Sequence, residues 1–250
     1  MSFEISFAGQ TVVVTGGTRG LGRAMTLGFL AAGARVWATY HSNEEAARAL
    51  RDQAAGHESR LQLARFDVGD HDATCAFWEQ LEQEAPGGVQ ALVHSAGIRR
   101  DAVLAMMSRQ DWSGVIEANL TGSFHVCKFG VQHMLRRRYG RIVLVTSPAR
   151  DHGFEGQANY AASKAGQVGL MRSLAREVAR RGITVNCVSP GFIDTELIAD
   201  LTEERRKQYL AQVPLRRFGT PEEVAYAVRM LCAEQATYIT GTTLEVAGGL

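Results

Sequence analysis

The segment Thr11-Val12-Val13-Val14-Thr15-Gly16-Gly17-Thr18-Arg19-Gly20-Leu21-Gly22 runs from a short apolar strand through a glycine-rich turn and directly into a helix-like stretch ending near Ala32. The glycines permit a tight turn and close approach of a phosphate-bearing ligand, and the partial positive charge of a helix start favours the anion. A strand, turn and helix in this order open a parallel sheet covered by helices. Such a turn also occurs where a strand merely packs on a helix; its place after the first strand favours the phosphate reading.

Outward from this unit the same alternation repeats. Apolar runs ARVWATY (34–40), LQLARFDV (61–68), VQALVHSAG (89–97), RIVLVTS (141–147) and ITVNCVSPG (183–191) are separated by longer amphipathic stretches, and TLEVAGG (243–249) closes the series. Strands alternating with helices predict an α/β doubly wound fold on a parallel sheet. Long helices are expected from about 109 to 138 and from about 156 to 181. Thr220-Pro221-Glu222-Glu223 supplies an N-cap, a proline at the first helical position and a glutamate at the third, so a helix starts there. Gly182 after Arg180-Arg181 marks a helix end. The irregular segments at 148–156 and 191–205 are candidate site loops.

Bulk properties narrow the classes. With 250 residues, 46% hydrophobic and five prolines, the chain suits one domain over 1–250 with no flexible linker. Its 27 basic and 26 acidic residues leave no overall field to gather nucleic acid or an anionic membrane. Cys75, Cys127, Cys187 and Cys232 lack metal-type spacing, so no metal is expected. No run approaches the roughly 20 apolar residues of a membrane span, and the N-terminus carries no signal-peptide pattern. The expectation is a soluble, cytoplasmic protein.

The cofactor can be read from strand ends. A free ribose 2′-hydroxyl is usually held by an acid at the end of the second strand, whereas a 2′-phosphate calls for cations or hydroxyls. Here that strand ends Thr39-Tyr40-His41-Ser42, without an acid, and Arg19 lies in the first loop. NADPH is expected over NADH, with Arg19 and His41 either contacting the phosphate or simply solvated. Asp67 and Val68 either meet the adenine edge or leave Asp67 as a helix cap. Ser95, Ala96 and Gly97 place small residues where a sugar or nicotinamide ring needs close approach, and His94 is read as structural.

Tyr160 and Lys164 lie four apart on one predicted helix, so their side chains share a face. A neighbouring ammonium favours the phenolate, making the tyrosine a better acid or base near neutral pH. Ser147 closes the fifth strand at the carboxyl edge, where open parallel sheets place ligands. It is positioned to hold a carbonyl oxygen while Tyr160 donates the proton and a nicotinamide delivers hydride. Asn119, a poor helix former in mid-helix, is expected to distort that helix and support a proton relay to Lys164, or else to be an exposed polar residue.

TGGTRGLG, HSAG, Asn119, Ser147, YAASK and Pro190-Gly191 occur in order, and with them the chain resembles the short-chain dehydrogenase/reductase family along essentially its full length. The resemblance implies a Rossmann-type fold with a seven-stranded parallel sheet, a homotetramer, and a catalytic tetrad of Asn119, Ser147, Tyr160 and Lys164. Within the family, GQANYAASKAG, SLAREVARRGITVNCVSPGFIDTE and YITGTTLEVAGG are most similar to the β-ketoacyl acyl-carrier-protein reductases of bacterial fatty acid synthesis. That resemblance implies NADPH contacts from Gly16, Gly17, Thr18, Arg19, Gly20, Leu21, Gly22, His41, Asp67, Val68, Ser95, Ala96, Gly97, Tyr160, Lys164, Pro190, Gly191, Ile193 and Thr195. Gln157 would touch substrate. Arg138 and Arg181 match positions that dock the acidic carrier protein, though as basic residues at two helix ends they also complement helix dipoles.

Two departures stand out. His94-Ser95 replaces the family's usual pair of asparagines, and Pro148-Ala149-Arg150-Asp151-His152 replaces the small apolar residues usual after the catalytic serine. The second widens the expected substrates to specialised carrier-bound intermediates of polyketide or polyene type. The leading expectation is reduction of a β-ketoacyl carrier-protein thioester. Beside it stand a dehydrogenase of small free alcohols or ketones and, in another class, a non-enzymatic nicotinamide-binding partner.

Overall fold

The computed structural model describes residues 5–196 and 202–250. One seven-stranded, all-parallel sheet runs through it in the order β3-β2-β1-β4-β5-β6-β7. The strands are β1 (Thr11–Thr15), β2 (Arg35–Tyr40), β3 (Leu61–Arg65), β4 (Ala91–His94), β5 (Gly140–Val145), β6 (Ile183–Pro190) and β7 (Thr243–Val246). The expected α/β doubly wound sheet is present, with each strand where its apolar run lies.

Period-two alternation assigns the strand side chains to two cores. Val12 and Val14 face one side, with Met25 and Phe29 of α1 (Gly20–Ala31), Leu50 of α2 (Glu44–Gln53) and Val224 and Leu231 of α9 (Pro221–Cys232). Val13 faces the other, with Phe77 and Trp78 of α3 (His71–Glu84), Val126 of α5 (Gly122–Leu135) and Met171 of α7 (Ala158–Val178). Burial on both faces explains why the strands read as continuous apolar runs rather than alternating ones. Strand order reverses between β1 and β4, so the loops leaving these two strands diverge and open a crevice at the carboxyl edge.

Three sequence expectations are refined. The helix expected over 109–138 is α4 (Arg109–Ile116), then a wide π turn at Glu117–Thr121, then α5. The helix expected over 156–181 is α7 followed by a 3-10 turn at Ala179–Arg181, ended by Gly182 at φ 71°. The segments at 148–156 and 191–205 are less irregular than expected. Ala149–His152 forms a single helical turn, α6, and α8 spans Glu203–Gln212. Residues 197–201 of the second segment lie outside the described residues. The capping box expected at Thr220 and Glu223 is formed. Among the described residues, no helix is long and apolar enough to cross a membrane, and no three His, Cys, Asp or Glu side chains converge as a metal site.

Candidate active site

The turn after β1 is shaped by contacts that only glycine allows. A Cβ on Gly16 would stand 2.8 Å from the Ala96 Cα, and one on Gly22 would stand 2.0 Å from the Gly16 carbonyl oxygen. The loop Ser95-Ala96-Gly97 is thereby brought against Gly16, joining two parts of the expected cofactor site. Gly17 N–H donates to the Thr39 carbonyl and Thr26 Oγ1 to the Gly17 carbonyl, fixing the turn to β2 and α1. Thr18 is buried, and Arg19 is exposed at the N-cap of α1. That helix start has no side-chain cap and no acid in its first turn. Its positive end is thus left for an external anion, which fits the pyrophosphate of a dinucleotide.

At the end of β2, His41 is exposed and its Nε2 lies 3.8 Å from an Asp67 carboxylate oxygen. Asp67 also accepts from Gly69 N–H. Val68 is buried, its carbonyl taking a hydrogen bond from His125. Sequence reasoning missed Arg65: it is the register partner of Tyr40, donates to the His41 carbonyl and pairs with Glu44. A basic residue closing the neighbouring strand was its available signal.

His94 is fully buried, with Nδ1 2.8 Å from Thr15 Oγ1 and Nε2 without a partner. Burial, helped by the nearby Lys164, pushes its pKa down to about 3, so it is neutral at working pH. The reading of His94 as structural agrees with this setting.

Ser147 follows β5 at the carboxyl edge, and its Oγ accepts from Ala149 N–H at 3.2 Å, leaving the hydroxyl proton free to donate. Tyr160 lies in the first turn of α7, and Lys164 one turn on has its Nζ 5.5 Å from the Tyr160 ring centre. Lys164 is anchored: Nζ donates to the Val145 carbonyl at 2.8 Å, and its own carbonyl accepts from Thr146 Oγ1. Burial lowers its pKa to about 8.

The expected lowering of the Tyr160 pKa by Lys164 is corrected here. Burial dominates and raises it, while a hydrogen bond with Ser147 and the charge of Arg99 pull it down and Asp101 pushes it up. The ammonium is turned to the Val145 carbonyl rather than to the phenol oxygen, and both groups are desolvated. Arg99 and Asp101, an ion pair at 3.1 Å, were not foreseen as neighbours of Tyr160; their place in the loop after β4 was the signal available. Gln157 joins them by donating to Asp101 at 3.2 Å.

Asn119 is fully buried in the π turn, which removes the exposed-residue alternative. Its Oδ1 accepts from Ile98 N–H at 2.7 Å, and Nδ2 donates to the Ile98 carbonyl and to Ser163 Oγ. Its carbonyl accepts from Ser123 Oγ and from Gln167 Nε2, as the widened turn leaves it available. A Cβ on Gly97 would lie 3.0 Å from Asn119 Oδ1 and 3.7 Å from Lys164 Nζ, so the loop after β4, the π turn and α7 meet at one point.

On the far side of the crevice, Gly191 N–H donates to the Val246 carbonyl, Ile193 is buried in a bridge with Gly219, and Thr195 Oγ1 points back at the Ile193 carbonyl 3.5 Å away. Pro190 ends β6. Arg138 and Arg181 fall elsewhere. Arg138, at φ 53°, donates to the Arg180 carbonyl, which groups Arg138, Arg180 and Arg181 where β5 and β6 begin. Ser147 lies beyond the other end of β5, roughly 17 Å along the strand. Arg136 is paired bidentately with Glu82 and Arg137 with the Pro86 carbonyl.

A glycine-rich turn at a strand-order reversal, with a Ser just after β5 and a Tyr and Lys on α7, is the arrangement of a nicotinamide-dependent oxidoreductase. The chain belongs to the short-chain dehydrogenase/reductase family: a family model described as enoyl-(acyl carrier protein) reductase matches residues 16–250. It is 43% identical to the 3-oxoacyl-[acyl-carrier-protein] reductase FabG of Escherichia coli, over 98% of this chain and 99% of the relative. It is 40% identical to FabG of Aquifex aeolicus and 39% identical to that of Chlamydia pneumoniae, each over 99% of both chains.

Proposed function

We propose that this protein reduces a 3-oxoacyl thioester carried on acyl carrier protein to the 3-hydroxyacyl form, with NADPH as reductant. The observation that carries the reading is the convergence of Ser147, whose Oγ accepts from Ala149 N–H and so keeps its proton to donate, with Tyr160, whose pKa the nearby Ser147 draws down against burial, and with Lys164 one helical turn behind. When bound, the nicotinamide supplies the hydride for the ketone carbon. Ser147 donates a hydrogen bond to the ketone oxygen, and Tyr160 protonates that oxygen as it becomes an alcohol. Lys164 holds the cofactor ribose and keeps positive charge near Tyr160. Asn119 fixes Ile98 and α7 around the site and supports the return of protons. Support for NADPH comes from the uncapped, exposed Arg19, from His41, and from the acid-free end of β2.

Arg138 and Arg181 form the docking surface for the acidic carrier in this reading. A carrier delivers its acyl group on a long flexible arm, so docking at one sheet edge and chemistry at the other are compatible. The same reading takes the protein as cytoplasmic, in line with its dispersed cysteines, and as a homotetramer, as the family resemblance implies; polyketide or polyene intermediates are candidate substrates.

The test is NADPH oxidation with a short 3-oxoacyl carrier-protein thioester and its small thioester mimic, in the native protein and in Arg138→Glu/Arg181→Glu. Loss of only the carrier-bound reaction is the expected result. Equal rates of both substrates in both proteins would replace it with a reductase of free ketones.

A further inference from the structure

The turn after Ser147 carries a guanidinium that the proposed chemistry leaves unused. Arg150 sits in α6, its side chain only 8% exposed. Nη1 donates to the Ser147 carbonyl at 3.2 Å and to Ser189 Oγ at 2.6 Å. Nη2 pairs with the Glu245 carboxylate and, at 2.8 Å, with Asp151. Ser189 and Glu245 are register partners on β6 and β7, which is why one side chain reaches both. Three neighbouring strands are thus tied at their carboxyl ends by a single planar fork, a geometry that a lysine cannot reproduce.

The surroundings explain why the cation is tolerated there. A nearly buried guanidinium needs counter-charge and filled donors, and Glu245, Asp151 and the two serines supply them. Arg150 and Glu245 also line a cleft of about 530 Å³ with Arg172, Thr242 and Thr243, so the carboxylates keep partial access to water. The main chain of Ser147 is held twice, since the Arg150 backbone N–H also donates to its carbonyl at 3.2 Å. With Ala149 N–H on Ser147 Oγ, the turn leaves little freedom in where the hydroxyl points.

We propose that Arg150 is a positioning residue for Ser147, tying the serine turn to β6 and β7 so that the hydroxyl is aimed at Tyr160 and the substrate oxygen. The inference rests on the reductase reading of the same site. Its distinct content is that Glu245, nearly a hundred residues further along the chain, acts on the reaction through Arg150 without touching substrate.

The variants Arg150→Met, Arg150→Lys and Glu245→Gln test this. The primary readout is the ionisation of Tyr160, followed by ultraviolet difference titration against the matching Tyr160→Phe protein so that one of six tyrosines is isolated. Tyr160 is faced by Ser147, Lys164, Arg99 and Asp101, which the variants leave in place. In Arg150→Met the titration moves upward, because the Ser147 hydrogen bond that favours the phenolate is loosened. Turnover falls at least about tenfold, while KM for the thioester and NADPH affinity stay within about threefold. Arg150→Lys recovers part of the loss, and Glu245→Gln falls between native and Arg150→Met.

A native titration and native turnover in folded Arg150→Met overturn the proposal. So does a loss of turnover that follows the unfolding midpoint with no movement of the tyrosine titration, which would make Arg150 a plain structural support. If the native protein reduces no 3-oxoacyl thioester, the functional reading fails separately, and the substrate-free titration still decides the role of Arg150.

Discussion

Among the described residues, five helices open on a side chain that caps them, whereas α1 and α7, whose starts face the active site, do not. Asn43, Asp70, Ser108, Thr202 and Thr220 accept backbone N–H bonds at the starts of α2, α3, α4, α8 and α9. At α1 and α7 the N-cap residues, Arg19 and Gln157, make no such bond. A cap stabilises a helix by roughly 1 kcal/mol, so its absence at two long helices has a local cost. At α1 the free N–H groups and the missing acid leave the helix end open to an anion. At α7 the Asn159 side chain, accepting from Tyr160 N–H and donating to the Arg100 and Asp111 carbonyls, fixes the first turn to the loop after β4 and to α4. The stabilising helix ends are closed by a capping side chain and α7 is held by Asn159 in its own first turn, whereas the start of α1 is left for an external anion to close.

The largest effect expected on the active-site side of this contrast comes from Tyr160→Phe, which lowers turnover by roughly a thousandfold with NADPH affinity retained. NADPH oxidation and a fluorescence binding titration measure the two quantities, and a variant with near-native turnover would remove Tyr160 as proton donor. Next, Arg19→Asp gives α1 the acidic cap it lacks. It should weaken NADPH by about 10- to 100-fold while the thermal midpoint holds or rises. A lower midpoint with unchanged affinity would break the comparison outright.

Lys164 separates activity from stability by sign. In the folded protein it loses its proton near pH 8, against 10.5 for an ordinary lysine, so between those values the unfolded chain holds more protons. This group therefore makes stability rise with pH across that window, while loss of its ammonium lowers kcat/KM by about tenfold per pH unit above 8. Rate profiles and urea midpoints from pH 7 to 10 test the opposition, with Lys164→Met losing the stability trend. On the capped side, Thr220→Ala costs about 1 kcal/mol of unfolding free energy and leaves turnover unchanged. A matching fall in turnover would link α9 to the site.

The fold was legible because both cores are written as continuous apolar strand runs with turn signals between them. Tyr160 and Lys164 stand out through their spacing of four, Ser147 through its place at a strand end, and Gly182 and Thr220 through helix-end chemistry. The π turn was only half legible. Asn119 marks a distortion, but its width follows from bonds to Ile98, Ser163 and Gln167 that no local pattern encodes. Arg150 was hidden for the same reason: the residue is obvious in the sequence, yet its partners Ser189 and Glu245 come from strand register. The Tyr160 pKa was misread because spacing reports proximity to Lys164 and says nothing of burial or of where Nζ points.

The bond between Arg150 and Glu245 also has a meaning in time. Chains are made from the N-terminus at about 5 to 20 residues per second, so β7 follows the serine turn by roughly 5 to 20 s during synthesis. When the serine turn is made, the nucleotide turn and β5 precede it and α7 follows well before β7, but until β7 arrives the guanidinium beside Ser147 has no carboxylate from that strand. A nascent chain can therefore lay down the nucleotide turn, β5 and α7 before β7 ties the serine turn and holds Gly191 through the Val246 carbonyl. The arrival of β7 is the step that turns a binding scaffold into a finished one.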